Sequence, residues 1–273
     1  FGSESVVALL FFCVLLAIPE SPRWLTKQGR ENEAIGIMAR VGGRGHAETE
    51  LAEIVETLKH EGGSLCELLK PGLRLALVIG IALAVFQQVT GINTVLYFST
   101  TMFERSGLGE DAAFLSSVGV GIINAIFTFV AIFLVDRVGR KPFLLVGAAC
   151  MGVSLGFMGA AFRYGWSGKW LLVSTLTYVA SFAATLGPVV WVYISEIFPT
   201  RIRGRAMSVA TVFLWISCSL MSYLHLPLVE QIGAGPAFWL YGSMCLLMFI
   251  FVSLFVPETK GKTLEEIERY WLR

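Results

Sequence analysis

The sequence predicts an all-α membrane protein. Of its 273 residues, 55% are hydrophobic and 15% are charged, whereas ordinary soluble domains carry about 25% charged residues. The apolar residues form runs suited to helices of about 20 residues, which cross a hydrocarbon core of roughly 30 Å at 1.5 Å per residue. One run covers residues 6–18, and six more are centred near residues 83, 122, 152, 182, 215 and 247.

The first apolar run begins without a methionine and leads directly into PESPRW. It lacks the basic start and the small-residue cleavage site of a signal peptide. We interpret it as the end of a transmembrane helix that starts upstream, so the sequence is expected to be a fragment.

A polar insertion follows this first run and covers residues 20–72. Within it, ETELAEIVETLKHEG places Leu51, Ile54, Val55 and Leu58 at the i, i+3, i+4, i+7 spacing of an amphipathic helix. We expect a layer of cytoplasmic helices with a structural role, joined by a short helix in the C-terminal tail.

The basic residues fall on alternate loops of the predicted spans. Eighteen of the 21 Lys and Arg residues lie on one side, and the opposite loops hold only Arg105, Arg163 and Lys169. Because cytoplasmic loops are enriched in Lys and Arg, the C-terminus is predicted to be cytoplasmic. This topology accounts for the basic residues, so no nucleic-acid partner is predicted.

The sequence offers no pattern typical of a catalytic, metal or cofactor site. Its five cysteines have no CxxC spacing, and all but Cys66 lie in apolar runs, so we predict free, buried thiols. The three histidines are scattered, and neither HExxH nor paired carboxylates in mid-membrane occur in the sequence. One GxSxG match, GVSLG at 152–156, lies inside an apolar run rather than at the strand-to-helix turn that exposes a nucleophilic serine. An enzyme is therefore not predicted.

Three side-chain amides follow the second apolar run closely, in FQQVTGINTVLYFST at residues 86–100. They belong to Gln87, Gln88 and Asn93. Moving an unpaired amide from water into an apolar medium costs roughly 2–7 kcal/mol, so each amide needs a partner. The partner is either a neighbouring helix, at on the order of 1 kcal/mol per contact, or a polar solute in a wet cavity.

Helix geometry constrains these amides further. At about 100° per residue, Asn93 on a straight helix lies roughly 190° from the midpoint of Gln87 and Gln88, so all three cannot face one ligand. Either Asn93 points elsewhere, or the helix unwinds near Thr90 and Gly91, where the missing Cβ removes a barrier to bending. We predict the break.

Five stretches resemble the sugar porter family of the major facilitator superfamily, in the order of that family. They are PESPRW (19–24), QQVTGIN (87–93), DRVGRK (136–141), GPVVWVYISEIFPTRIRGRA (187–206) and PETKGKTLEEI (257–267). The resemblance extends over the whole chain. It implies the C-terminal six-helix half of that fold, whose N-terminal half is the expected missing partner.

The resemblance also implies a division of the chain into four segments. The end of the sixth transmembrane helix covers residues 1–19, and a cytoplasmic helical linker covers residues 20–72. The six-helix bundle covers residues 73–257, and a cytoplasmic tail helix covers residues 258–273.

A mid-membrane sugar site is implied as well. Amides both donate and accept hydrogen bonds, as hydroxyls do, and an indole can cover the apolar face of a pyranose. Asn124 alone would also fit a contact between helices, and Trp191 an interfacial anchor, although it lies about 12 Å before the cytoplasmic end of its helix. The implied substrate-binding residues are Gln87, Gln88, Asn93, Asn124 and Trp191.

Two further groups of residues are expected to serve the transport cycle. The gate comprises Gly91, Tyr97, Gly187 and Pro188, with packing as the alternative role for Tyr97. The second group is a cytoplasmic charge latch, a network of ion pairs that would form when the cytoplasmic side of the transporter closes. The enrichment of basic residues in cytoplasmic loops would explain its cations, but not its carboxylates. Its members are Glu20, Arg23, Asp136, Arg137, Arg140, Glu196, Arg203 and Glu258.

The implied function is transport of a monosaccharide, hexose or pentose, by alternating access, as a uniporter or a proton symporter in the plasma (inner) membrane. Phe98, Ala183, Leu214 and Cys218 replace polar residues of the mammalian glucose-facilitator pattern. Xylose, galactose and a cyclic polyol such as myo-inositol therefore stay open, as does a non-transporting sugar sensor. The six complete spans carry no mid-span acidic residue, so they offer no proton relay. The chain alone, lacking half of the cavity wall, is not expected to transport.

Overall fold

The computed structural model describes residues 2–60, 65–70, 73–107, 109–199, 202–262 and 266–267. Helices make up most of these residues, and no strand occurs among them. The chain divides into two compact units, Phe1–Gly63 and Ser64–Arg273.

Within its described residues, the first unit contains one apolar helix and three more polar ones. Its small core consists of Leu25, Ala34, Met38 and Ala47. Leu51 packs against this core from the apolar face of the fourth helix, which confirms the predicted amphipathic helix. The helices are α1 (Gly2–Ala17), α2 (Pro22–Lys27), α3 (Glu31–Gly42) and α4 (Arg44–His60).

The described part of the second unit begins with a short 3-10 helix, Leu65–Leu69, and continues as a bundle of eight helices. By length and hydropathy, these eight helices make six candidate membrane spans, because α5 with α6 and α9 with α10 each form one broken span. The six long apolar runs are thus confirmed as helices. They are α5 (Leu73–Val89), α6 (Ile92–Arg105), α7 (Glu110–Val138), α8 (Arg140–Tyr164), α9 (Gly168–Ala184), α10 (Leu186–Ile197), α11 (Arg203–Ile232) and α12 (Ala234–Phe255).

The bundle buries apolar side chains inside and carries many others on its outer surface. This pattern corrects the prediction of buried cysteines: Cys218 and Cys245 are buried, but Cys13 and Cys150 are exposed. A membrane helix turns apolar residues toward lipid as well as toward protein, so apolar sequence alone does not indicate burial. The side chain of Cys66 lies outside the described part.

The predicted tail segment lies partly outside the described residues. Of the tail segment 258–273, the structure describes residues 258–262 and 266–267 only. The segment boundaries given above therefore stay predictions.

Candidate functional site

The break between α5 and α6 is the polar centre of the bundle. Helix α5 ends at Val89 and α6 begins at Ile92, with Gly91 between them at φ +91° and ψ +16°. This left-handed conformation carries no Cβ penalty in glycine. The predicted unwinding near Thr90 and Gly91 is confirmed.

Two buried tyrosines support this break. Tyr178 of α9 donates a hydrogen bond from its hydroxyl to the Thr90 carbonyl oxygen at 2.8 Å, which satisfies a backbone acceptor at the break. The ring of Tyr241 from α12 packs against Gly91, so closely that a Cβ there would lie 2.9 Å from Tyr241 Cδ2. Sequence reasoning missed both residues. The available signal was a tyrosine inside an apolar run, because a buried hydroxyl usually needs a partner.

Gln88 and Asn93 meet across the break. Asn93 Nδ2 donates to Gln88 Oε1 at 2.6 Å and lies 3.0 Å from Cys218 Sγ on α11. Within the described residues, Gln88 Nε2 and Asn93 Oδ1 make no hydrogen bond to protein. The pair therefore retains donor and acceptor capacity, which is the combination that a hydroxyl can match.

Gln87 has a different position from its neighbour. It is 3% exposed, and its Nε2 donates to the carbonyl oxygens of Leu186 and Gly187, each at 3.0 Å. These carbonyls follow Thr185, where α9 gives way to α10. Gln87 thus ties one broken span to the other. Its Oε1 is buried and accepts no hydrogen bond from the described part of the protein.

The remaining predicted substrate and gate residues are not joined to these amides by hydrogen bonds in the described structure. Asn124 is half-buried on α7, and its side chain makes no hydrogen bond there. Trp191 is half-buried on α10 and packs against the bundle core. Tyr97 is 62% exposed, and Pro188 lies in the first turn of α10, where a missing N–H is tolerated.

A cluster of charged side chains forms where α7 meets α8. Arg140 Nη2 lies 2.6 Å from Glu196 Oε1 and 2.9 Å from Asp136 Oδ1. Its Nε also lies 3.1 Å from both Glu196 oxygens. Thr259 Oγ1 donates to Glu196 Oε2 at 2.6 Å. These contacts join α7, α8, α10 and the start of the tail, and the latch role of these residues stays a prediction.

Glu258 takes part in this region as a helix cap. Its carboxylate accepts hydrogen bonds from the backbone N–H groups of Arg140 at 3.1 Å and Lys141 at 3.0 Å. An acidic group at a helix N-terminus pairs otherwise unsatisfied donors and favours the helix dipole. Gly139 makes room for it, since a Cβ there would lie 2.9 Å from Glu258 Oε2.

The side chain of Arg137 is exposed and takes no part in the described ion pairs, so its ionic role in the latch stays a prediction. Its carbonyl oxygen contributes instead, by accepting a hydrogen bond from Lys260 Nζ at 2.5 Å. Arg203 begins α11, and its latch role stays a prediction. Those of Glu20 and Arg23, which belong to the other unit, stay predictions as well.

Comparison with known proteins decides the family. The family model described as "Sugar (and other) transporter" matches residues 1–271. The chain belongs to this sugar transporter family. It is 43% identical to the arabinose-proton symporter of Bacillus subtilis, covering 98% of this chain and 58% of that protein. It is 42% identical to the D-xylose-proton symporter of Escherichia coli (strain K12), covering 99% of this chain and 56% of that protein.

Solved structures agree on the fold of this sugar transporter chain. The inward-open conformation of the xylose transporter XylE from E. coli matches with a TM-score of 0.82 and 39% identity, over 98% of this chain and 56% of that one. XylE bound to 6-bromo-6-deoxy-D-glucose matches with a TM-score of 0.76 and 41% identity, over 98% and 58%. The predicted fold class is confirmed as the six-helix half of a major facilitator. The chain spans somewhat over half the length of these relatives.

Proposed function

We propose that the protein carrying this chain transports a monosaccharide across a membrane by alternating access, as a uniporter or proton symporter. The polar break between α5 and α6 carries the proposal. Over seven residues it presents Gln87 Oε1, Gln88 Nε2 and Asn93 Oδ1, none of which is paired within the described protein. Leaving such a group buried and unpaired costs about 1–3 kcal/mol, and sugar hydroxyls can remove that cost.

An aldopentose is the proposed substrate class. The relatives named above are symporters of arabinose and xylose. In this chain, Leu214 and Cys218 are buried on α11. Cys218 Sγ accepts a hydrogen bond from the Asn93 side chain, and the Cys218 side chain has no amide group that could bind a sugar hydroxyl. An aldopentose lacks the hydroxymethyl group of a hexose and needs fewer polar contacts. A site that has lost polar partners is therefore better matched to the smaller sugar.

The finer features of the cycle belong to the same proposal. The breaks at Gly91 and Thr185 supply flexible points at which α6 and α10 move, and Asn124 and Trp191 contact the sugar when the cavity closes. The protein lies in the plasma membrane with its C-terminus in the cytoplasm, as the distribution of basic residues favours. No covalent bond changes during this cycle, so it has no catalytic residue.

Counterflow in proteoliposomes tests the proposal with the complete open reading frame that includes this chain. Vesicles loaded with unlabelled sugar should accumulate labelled D-xylose, and the assay is repeated with L-arabinose, D-glucose and myo-inositol. Counterflow needs no proton gradient, so it tests the site without presuming the mode of coupling. We expect the strongest signal with an aldopentose.

Two matched variants show whether the signal depends on this site. Gln88→Ala should reduce D-xylose counterflow about tenfold, as expected when a buried hydrogen-bonding group is lost. Gln231→Ala changes an exposed glutamine near the end of α11 and should leave counterflow unchanged. Absence of counterflow with all four compounds would contradict the proposal and favour a sugar sensor.

A further inference from the structure

A groove between α8 and α9 lies far from the charge cluster, toward the turn that joins these helices. It has a volume of about 240 Å³, below the roughly 300–1,000 Å³ of pockets that enclose small-molecule ligands. Its walls are formed by Val153 and Phe157 on α8 and by Val173 on α9, and Trp166 and Trp170 stand at its end.

The polar side chains in this groove are satisfied by their own helices. Ser154 Oγ donates to the Cys150 carbonyl oxygen, Ser174 Oγ to that of Trp170, and Thr177 Oγ1 to that of Val173, each at 2.8 Å. The groove therefore presents an apolar surface in its middle. A sugar placed there would lose hydrogen bonds to water without replacement, whereas a hydrocarbon chain would not.

The groove opens on the outer surface of the described bundle. Val153 is 61% exposed and Val173 is 55% exposed, although both lie in candidate membrane spans. In a bilayer, apolar side chains exposed on such spans are covered by lipid. An acyl chain fits an apolar groove exposed in this way.

The rim of the groove carries groups suited to a lipid headgroup. Tryptophans are enriched at membrane interfaces, and the indole N–H groups of Trp166 and Trp170 make no hydrogen bond within the described structure. Lys169 is exposed and lies four residues before Val173, on the same helix face. Lys169 lies on the side of the bundle that is poor in Lys and Arg, so the enrichment of basic residues in cytoplasmic loops does not explain its charge.

We propose that this groove binds an anionic phospholipid. One acyl chain lies between α8 and α9, and the phosphate is met by Lys169 Nζ and by the indole N–H groups of Trp166 and Trp170. This site is separate from the sugar site, and its occupation does not depend on the transport function proposed above.

Native mass spectrometry of the complete purified protein tests this site with two lipids of equal chain length, dioleoyl phosphatidylglycerol and dioleoyl phosphatidylcholine. Val173→Trp fills the groove and should abolish one bound phosphatidylglycerol per protein. Val146→Trp is the matched control. It adds the same ring to an exposed position of α8, about 10 Å along the helix from Val153.

Paired charge variants test the headgroup contact. Lys169→Ala should lower phosphatidylglycerol occupancy about fivefold, the effect of one basic residue near anionic lipid, with little change for phosphatidylcholine. Arg163→Ala is the control. It removes an equal charge from the same turn, but Arg163 Cβ lies 3.1 Å from the position of a Cβ on Gly235, so its side chain leaves α8 toward α12.

Two results would overturn the proposal. One is unchanged phosphatidylglycerol occupancy in a folded Val173→Trp variant, with folding checked by its melting temperature. The other is an equal loss of lipid in Lys169→Ala and Arg163→Ala, which would indicate a general charge effect. Because both of those side chains are exposed, the second comparison holds even if Val173→Trp does not fold.

Discussion

Adjacent glutamines in this protein have different roles. Gln87 Nε2 is bonded to the carbonyls of Leu186 and Gly187, whereas Gln88 Oε1 receives the amide of Asn93. The sequence indicated that these amides need partners and predicted the break beside them. It could not distinguish the two glutamines, because the carbonyls that Gln87 meets lie about a hundred residues away on another broken span.

This difference predicts separable effects on stability and binding. Gln87→Leu should lower the free energy of unfolding by about 1–3 kcal/mol, because buried carbonyls lose their donor. Gln88→Leu should have a smaller effect on stability, since Asn93 Nδ2 retains its contact with Cys218, but it should weaken D-xylose binding. Thermal unfolding with and without D-xylose measures both. Full stability with abolished binding in Gln87→Leu would show that Gln87 is chiefly a sugar ligand.

Each broken span is stabilised by residues of other helices. The α5–α6 break relies on Tyr178 and Tyr241, and the α9–α10 break meets Gln87. The first break was predictable from Gly91 and the angular positions of the amides. The position of the second was not predictable, because Gly187 and Pro188 are the residues that suggest a gate in this span, whereas the helix is interrupted at Thr185. Gly187 and Pro188 fit in the first turn of α10, and nothing in their local sequence reveals the preceding interruption.

Substitution of Gly91 tests the importance of the break. Gly91→Ala introduces a Cβ at φ +91° and places it 2.9 Å from the ring of Tyr241. Gly107→Ala is the matched control, because Gly107 has φ +85° but no neighbouring atom within 4 Å of an added Cβ. Both variants bear a backbone cost of about 1–2 kcal/mol.

The two variants should therefore differ in transport. We expect Gly91→Ala to lower the rate of D-xylose counterflow at least about tenfold more than Gly107→Ala, because only Gly91→Ala disturbs the packing at the break. Counterflow rates normalised to folded protein give the comparison. Equal rates in the two variants would show that the close approach of Tyr241 to Gly91 is irrelevant to the cycle.

At the scale of the whole molecule, composition and apolar periodicity were enough for the fold class, and the ordered motifs were enough for the family. The charge cluster shows where such inference ends. Motif positions placed Arg140 and Glu196 in one expected charge latch without pairing them, and the structure joins them at 2.6 Å. The same motifs suggested an ionic role for Arg137 and Glu258. In the structure, Arg137 contributes its carbonyl oxygen and Glu258 caps the N-terminus of α8. Both roles depend on how the helices are placed in three dimensions, which the motifs do not reveal.

The charge cluster predicts a shift between conformations. The Glu196 carboxylate forms an ion pair with Arg140 and accepts a hydrogen bond from Thr259. Glu196→Gln should therefore weaken the closure of the cytoplasmic side and raise the population of the inward-open state a few-fold. Labelling of a Gly204→Cys probe, introduced where an added Cβ meets no atom within 4 Å, measures cytoplasmic accessibility.

Cys13 and Cys150 are exposed and should first be replaced by Ser. Glu230→Gln is the control, since it changes an exposed carboxylate near the opposite end of α11. Equal labelling rates in both glutamate variants and the parent would refute the proposed shift.

The central claim is that the helix break unites Gln88 and Asn93 into one sugar-binding unit. The most direct test is a double-mutant cycle, in which D-xylose affinity is measured for the complete protein, Gln88→Leu, Asn93→Leu and the double variant. Because the two side chains are hydrogen-bonded at 2.6 Å, we predict a coupling energy of at least about 1 kcal/mol in binding. Purely additive losses of affinity, or no loss in any variant, would contradict the account.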